Sequence, residues 1–155
     1  MRLCLVALGH RMPAWVAAGF DDYAKRLPRE SPLELVELKP EPRDRGRSVE
    51  QMLGAEAKRI AAATAGYACV ALDERGARWS THDLADHLRQ WREAGRDVAF
   101  VIGSADGLHA DVKATALAVV SLSAMTLPHG LARVILAEQV YRATSILAGH
   151  PYHRE

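Results

Sequence analysis

The sequence predicts an α/β fold: a mostly parallel sheet with helices on both faces. Short apolar runs recur at 3–8, 33–38, 68–72, 98–102 and 119–122. Between them, apolar residues fall at spacings of three and four, the period of a helix. Serine or proline opens the periodic stretches, and glycine or proline closes them, as helix ends require.

The elements follow in order. Leu3–Leu8 is a buried first strand. Pro13 suits the first turn of a helix, whose face is Val16, Phe20, Tyr23 and Leu27, ended by Pro28. Leu33–Leu38 is the second strand, followed by a loop over 39–47. Ser48 and Gln51 form a capping box, in which each satisfies a free amide of the other. That helix is predicted to run to about Ala65, with Val49, Met52, Leu53 and Ile60 inward and Gly66 as its left-handed stop. A third strand covers 68–72. Ser80 or Thr81 caps the next helix, which buries Leu84, Leu88 and Trp91 and stops at Gly95. Val98–Ile102 is the fourth strand, a short helix follows Gly107, and the fifth strand covers 119–122. The last helix spans 131–147, with Gly149 as its stop.

All 155 residues make a single domain, 1–155, large enough for a real core. No repeat, low-complexity stretch or linker divides it. The net charge of +1 gives no global case for a nucleic-acid binder, so an RNA partner would be met by a local patch. Cys4 and Cys69 lie in apolar runs and read as reduced, buried thiols of a cytoplasmic protein. The first apolar run is too short to span a membrane and lacks a small-residue cleavage site.

Three loops at the carboxyl ends of strands are candidate ligand walls. One starts at Asp73, the second is Gly103-Ser-Ala-Asp-Gly107, and the third is Ser121-Leu-Ser-Ala-Met-Thr-Leu-Pro-His129. On residues alone, the second reads as an ordinary strand-to-helix turn. It is neither the dinucleotide fingerprint nor a P-loop. The third reads as a strand end with a proline-stopped turn; as a site, its amides and apolar side chains suit a small ligand with one apolar end. His129 is the only histidine beside it. Glu138 and Arg142, four apart, form a helix-surface ion pair or line a pocket. The tail, His150-Pro-Tyr-His-Arg-Glu155, is a frayed terminus, or it supplies the stacking, hydrogen-bonding and phosphate-binding groups of an RNA pocket. No metal is expected: Pro151 breaks the His150–His153 spacing and no cysteine or carboxylate cluster completes a site. The run Arg43, Arg45, Arg47, broken by Asp44, reads as a solvated loop.

The stretches S-L-S-A-M-T-L-P-H at 121–129, L-A-R-V-I-L-A-E-Q-V-Y-R-A at 131–143 and H-P-Y-H-R-E at 150–155 resemble the ribosomal RNA large subunit methyltransferase H family, of the SPOUT class. Met12-Pro13, Trp15, Phe20 and Tyr23 also fit. The resemblance implies a C-terminal trefoil knot, where periodicity alone predicts an unknotted doubly wound fold. It implies S-adenosyl-L-methionine as cofactor, bound by Leu72, Gly103, Gly107, Leu122, Ser123, Ala124, Met125, Thr126 and Leu127. It implies methylation of N3 of a pseudouridine in 23S rRNA of the assembled ribosome. It also implies a homodimer in which the tail of one chain reaches the other's cofactor. In this reading Arg154 and Arg142 stabilise charge on the base carbonyls, with Glu138 orienting Arg142. His153 accepts the N3 proton and Tyr152 stacks on the base. The family has Gly-Gly-Pro-Glu/Asp-Gly at 103–107; here Ser104 and Ala105 replace the second glycine and the proline, while Asp106 keeps the acid. A looser loop and weaker cofactor binding are expected. Two other readings stand beside this one: a SPOUT enzyme acting on transfer RNA, and a non-catalytic ribosome-binding module. Cofactor uptake separates the second from an enzyme.

Overall fold

The computed structural model describes residues 1–43 and 46–154. Asp44 and Arg45 of the arginine loop and Glu155 of the tail lie outside the described residues. Strands β1 (Leu3–Leu8), β2 (Leu33–Leu38), β3 (Ala68–Arg78), β4 (Val98–Ile102) and β5 (Ala118–Ser121) alternate with helices α1 (Ala14–Ala24), α2 (Val49–Ala63), α3 (Thr81–Glu93), α4 (Ala110–Thr115) and α5 (His129–Leu147). A 3-10 turn, Pro151–Arg154, follows.

The strands form one sheet in the order β2-β1-β4-β3-β5, and every neighbouring pair is parallel. Side chains alternate across it. Leu3, Leu5, Val98, Phe100 and Val70 pack with Phe20, Leu84, Leu88, Leu136 and Val140, so α1, α3 and α5 cover one face. Cys4, Val6, Leu8, Ala99 and Val101 pack with Ile60 and Val112, so α2 and α4 cover the other. Burial on both faces explains why β1 and β4 are continuous apolar runs, while β2, at the edge, carries the outward glutamates Glu34 and Glu37.

The caps at Ser48 and Ser80 form as expected, each a full capping box. Gly66, Gly95 and Gly149 hold the positive φ that ends their helices. Four expectations are corrected. Helix α1 stops at Ala24; Leu27 is still buried, because Arg26 and Leu27 donate to the carbonyls of Tyr23 and Ala24 in a tightened last turn. Val49 is exposed: it is the first residue of α2, and its side chain leans back off the helix end. Strand β5 ends at Ser121, which frees Leu122 for the loop, and α5 begins two residues early, at His129.

The fourth correction bears on the site. Strand β3 does not end at Leu72. Leu72 and Ala77 both pair with Val120, so Asp73, Glu74, Arg75 and Gly76 loop out of the ladder and the strand resumes to Arg78. The Asp73 carboxylate accepts from the Arg75 amide and shapes the excursion. At Gly76 a Cβ would sit 2.6 Å from the Val120 backbone, so only glycine permits the crossing.

Both cysteines are free, Cys4 buried and Cys69 half-buried. They lie on β1 and β3 with β4 between them. Burial, with Glu34 nearby, pushes the Cys4 thiol up to about 11, leaving it inert at neutral pH. Among the described residues no helix is long and apolar enough to cross a membrane.

Candidate active site

The carboxyl ends of β4, β3 and β5 lie side by side, and their three loops enclose a crevice of about 570 Å³. Leu72, Gly103, Gly107, Leu122, Ser123, Met125, Thr126 and Leu127 all line it. Ala124 does not; it is exposed beside them. The structure also brings in residues that loop patterns did not single out: Glu74, Arg75, Lys113 and Ala132. Lys113 meets Asp73 at 3.5 Å. Lys113 lies one turn into α4, and only the tertiary fold turns it toward the β3 excursion.

The 103–107 loop is a tight closure. Ser104 and Gly107 form an isolated bridge, and the Gly107 amide donates to the Ser104 carbonyl at 2.9 Å. A Cβ at Gly103 would lie 2.4 Å from the Gly107 oxygen, and Gly107 holds φ 85°. Glycine is therefore required at both ends. The loosening expected from the lost proline falls at Ala105; its neighbour Ser104 is tied down by side-chain bonds. The Ser104 hydroxyl donates to Glu56 at 2.7 Å and accepts from Arg43 at 2.9 Å, and Arg43 reaches Asp106 at 2.9 Å.

The 122–127 wall is partly self-satisfied. Ser121 donates to the Ser123 carbonyl, and the Met125 amide donates to the Ser123 hydroxyl. The Met125 amide is thus taken. The amides of Ser123, Ala124, Thr126 and Leu127 make no backbone hydrogen bond among the described residues. Met125 is 79% exposed, an apolar side chain at the rim with nothing over it.

His129 closes the floor. Its Nδ1 lies 3.2 Å from the Gly103 carbonyl. A carbonyl only accepts, so in the neutral ring Nδ1 carries the proton and Nε2 keeps its lone pair. Nε2 is buried without a partner. Burial, aided by the Arg133 guanidinium, holds the imidazole below its ordinary value near 6.5, against the raising effects of the Gly103 bond and Glu37. The unfolded chain therefore binds the extra proton first. Stability from this group is whole above about pH 6.5 and falls as pH drops toward the folded value. Melting curves over that range will show a steeper acid loss in the wild type than in His129→Gln; equal slopes would refute the assignment.

The tail forms a second constellation around Glu138. The Glu138 carboxylate accepts from Arg142 Nε at 2.7 Å, from the Tyr152 hydroxyl at 3.2 Å and from Gln139 Nε2 at 2.7 Å. The Arg142 guanidinium lies 4.8 Å over the Tyr152 ring, which packs 4.6 Å from Tyr141. Burial and the Glu138 carboxylate push the Tyr152 hydroxyl up to about 12, so it is a donor and not a base at neutral pH. His153 Nδ1 is buried and unpartnered, and Arg154 is exposed with no hydrogen bond or ion pair among the described residues.

Arg142, Glu138 and Tyr152 are thus joined, His153 and Arg154 follow Tyr152 in the same 3-10 turn, and none of the five lines the crevice. Between the two lies a second cavity of about 460 Å³, walled by Leu72, Ser121 and Leu122 on the crevice side and by Gln139 on the other. Thr81 donates to Gln139 at 2.7 Å, which continues to Glu138. No group of His, Cys, Asp and Glu among the described residues is arranged to hold a metal ion.

Comparison with known proteins bears on the family and the fold. A family model described as predicted SPOUT methyltransferase matches residues 1–153. The chain is 56% identical over 155 residues to the ribosomal RNA large subunit methyltransferase H of Burkholderia cenocepacia, covering 99% of each. It matches that of Burkholderia multivorans to the same extent, 56% over 99% of each. A probable methyltransferase from Bordetella pertussis shares the fold with a TM-score of 0.58 at 17% identity, over 92% of this chain and 94% of that one. A putative methylase family protein from Neisseria gonorrhoeae shares it at 0.54 and 14%, over 90% and 80%.

Proposed function

Because the chain belongs to the SPOUT methyltransferase family, and within it groups with the ribosomal RNA large subunit methyltransferase H proteins, we propose that it transfers a methyl group from S-adenosyl-L-methionine to N3 of a pseudouridine in 23S rRNA of the assembled ribosome. The observation that carries this reading is the crevice itself: two glycines no side chain can replace, unbonded loop amides and an uncovered apolar rim. Those features fit a ligand with an aromatic ring and a polar, zwitterionic end. Leu72, Leu122, Met125 and Leu127 would enclose the adenine, and the amides of Ser123, Thr126 and Leu127 would meet its edge. Family membership also implies the C-terminal trefoil knot.

When bound, the cofactor supplies a methyl group already activated by its sulfonium, which leaves the protein to position and to manage charge. The imide N3–H must lose its proton to become nucleophilic. His153 is the proposed acceptor, through Nε2, since its Nδ1 is buried. Arg154 and Arg142 would stabilise the anion on the base carbonyls. Glu138 fixes Arg142, and Tyr152, held by the same carboxylate, offers its ring to the base.

The tail does not reach the crevice of its own chain, which supports a homodimer in which each site joins one crevice to the partner's tail. Trp15 (55% exposed) on α1 and Leu131 at the start of α5 are the kind of uncovered apolar groups such a contact would bury.

Labelled methyl transfer to ribosomes lacking the modification, with naked rRNA and transfer RNA alongside, tests the whole reading. Label on ribosomes, mapped to a pseudouridine N3, is expected. Label on transfer RNA alone, or none, overturns it. Gly103→Ala will displace the 103–107 loop and weaken cofactor binding by about tenfold or more, read by calorimetry; unchanged affinity would remove that loop from the cofactor site.

A further inference from the structure

The 103–107 loop is held from outside by residues that touch neither the crevice nor the tail. Glu56 is 2% exposed in the middle of α2. One carboxylate oxygen accepts the Ser104 hydroxyl at 2.7 Å, and the other accepts the Glu41 amide at 3.3 Å. Arg43 bridges the same groups: it donates to Ser104 at 2.9 Å and to the Glu41 carbonyl at 3.1 Å, meets Asp106 at 2.9 Å and lies 3.8 Å from Glu56. Ser104 thus has both its donor and its acceptor used, by a carboxylate and a guanidinium. Glu41 is in turn held by Arg47 and Arg59.

We infer that Glu56, Ser104 and Arg43 form a latch that sets the shape of the cofactor crevice, so that all three are positioning residues for cofactor binding. This inference rests on the cofactor reading above. Local stiffness is what the latch provides. A loop of Gly-Ser-Ala-Asp-Gly between two glycines has little rigidity of its own. A rigid wall lowers the ordering cost of ligand binding. Charge-assisted bonds to a carboxylate anchored on a helix supply that rigidity at the second residue of the loop. His129 supplies it at the first, through the Gly103 carbonyl. The loop is therefore clamped on both sides of the Gly103–Ser104 peptide, by α5 and by α2. Arg43 extends the hold across to Asp106. Arg43, in a segment that reads as solvated by sequence, becomes part of the site's support.

Affinity and turnover should separate. In full-length protein, Ser104→Ala and Arg43→Ala are each expected to raise Kd and KM for S-adenosyl-L-methionine about tenfold. The kcat at saturating cofactor should stay within about twofold. Ser104→Thr, which keeps the hydroxyl, restores the affinity. The double variant should lose little more than either single one, since both break one latch. Amide hydrogen exchange at 103–107 without cofactor reads the latch independently and should quicken in Ser104→Ala. Wild-type affinity in Ser104→Ala, or unchanged exchange at the loop, overturns the latch. A wild-type protein that takes up no cofactor overturns instead the methyltransferase reading, and the exchange measurement still decides the latch.

Discussion

Arg154→Ala will lower methyl transfer to ribosomes by roughly 10²–10³-fold under single-turnover conditions, the usual cost of losing one preorganised donor at a developing anion. Cofactor affinity will stay near the wild-type level, because the proposed role of Arg154 is toward the base and not the cofactor. The guanidinium suits this role because it is exposed and makes no hydrogen bond or ion pair among the described residues. Arg142 differs, since its Nε is committed to Glu138. Removing Arg154 therefore removes charge stabilisation without releasing an internal strut. Subunit mixing sharpens the result. Arg154→Ala mixed with Gly103→Ala gives mixed dimers in which one site joins two damaged halves and the other two intact ones. With random exchange and cofactor held well below saturation, about a quarter of wild-type activity returns from two impaired proteins. A normal rate in Arg154→Ala sinks its role, and failure of the mixture to recover sinks the shared site.

Arg133→Ala will cost about 3 kcal/mol of folding stability, from a cavity and an orphaned carbonyl together. In a chain of this size that is a fall in Tm of roughly 6–12 °C. Arg133 is 1% exposed on α5, an arginine inside the core. Its guanidinium donates to the Gly9 carbonyl at 2.9 Å and to Glu37 at 2.8 Å, tying α5 to the ends of β1 and β2. Glu37 can rehydrate when its partner goes, since it lies at the sheet edge, but the Gly9 carbonyl cannot. Arg133→Met fills most of the volume and should recover about half of the loss. Urea unfolding of the two variants measures both terms. In Arg133→Ala, His129 also loses the neighbouring cation that disfavours its own protonation. An Arg133→Ala protein as stable as wild type would show that this arginine is not a strut.

The sheet was legible because its central strands are buried on both faces and leave unbroken apolar runs. The caps were legible because Ser48-x-x-Gln51 and Ser80-x-x-Asp83 satisfy helix amides in a way few other residue types can. The true end of strand β3 was not, because Asp-Glu-Arg-Gly reads as a turn and nothing local shows that the chain returns to Val120. Two buried charges leave a signal in the sequence, but only half of one. Glu56 lies four residues from Met52 and four from Ile60, on the buried stripe of α2. Arg133 shares the stripe of Leu136, Ala137 and Val140. A charge in register with an apolar stripe is a buried charge, and its partners lie across the fold, where spacing cannot name them. The crevice loops were legible as strand ends. The separation of the tail from the crevice was not, because it depends on which way α5 runs over the sheet.

The strand order has a consequence for synthesis. Strand β1 is made first and sits next to the centre, but its second neighbour is β4. About ninety residues separate the end of β1 from the start of β4, so at common elongation rates one edge of β1 waits roughly 5–20 s for its mate. Until then its apolar residues, from Leu3 to Leu8, have only β2 beside them. The helix that covers their α1 side, α5, is the last to emerge. A nascent chain of this protein therefore carries an open, hydrophobic strand edge until β4 has been made. The stability of the finished molecule does nothing for that edge during the wait, so whatever shields it must act on the growing chain.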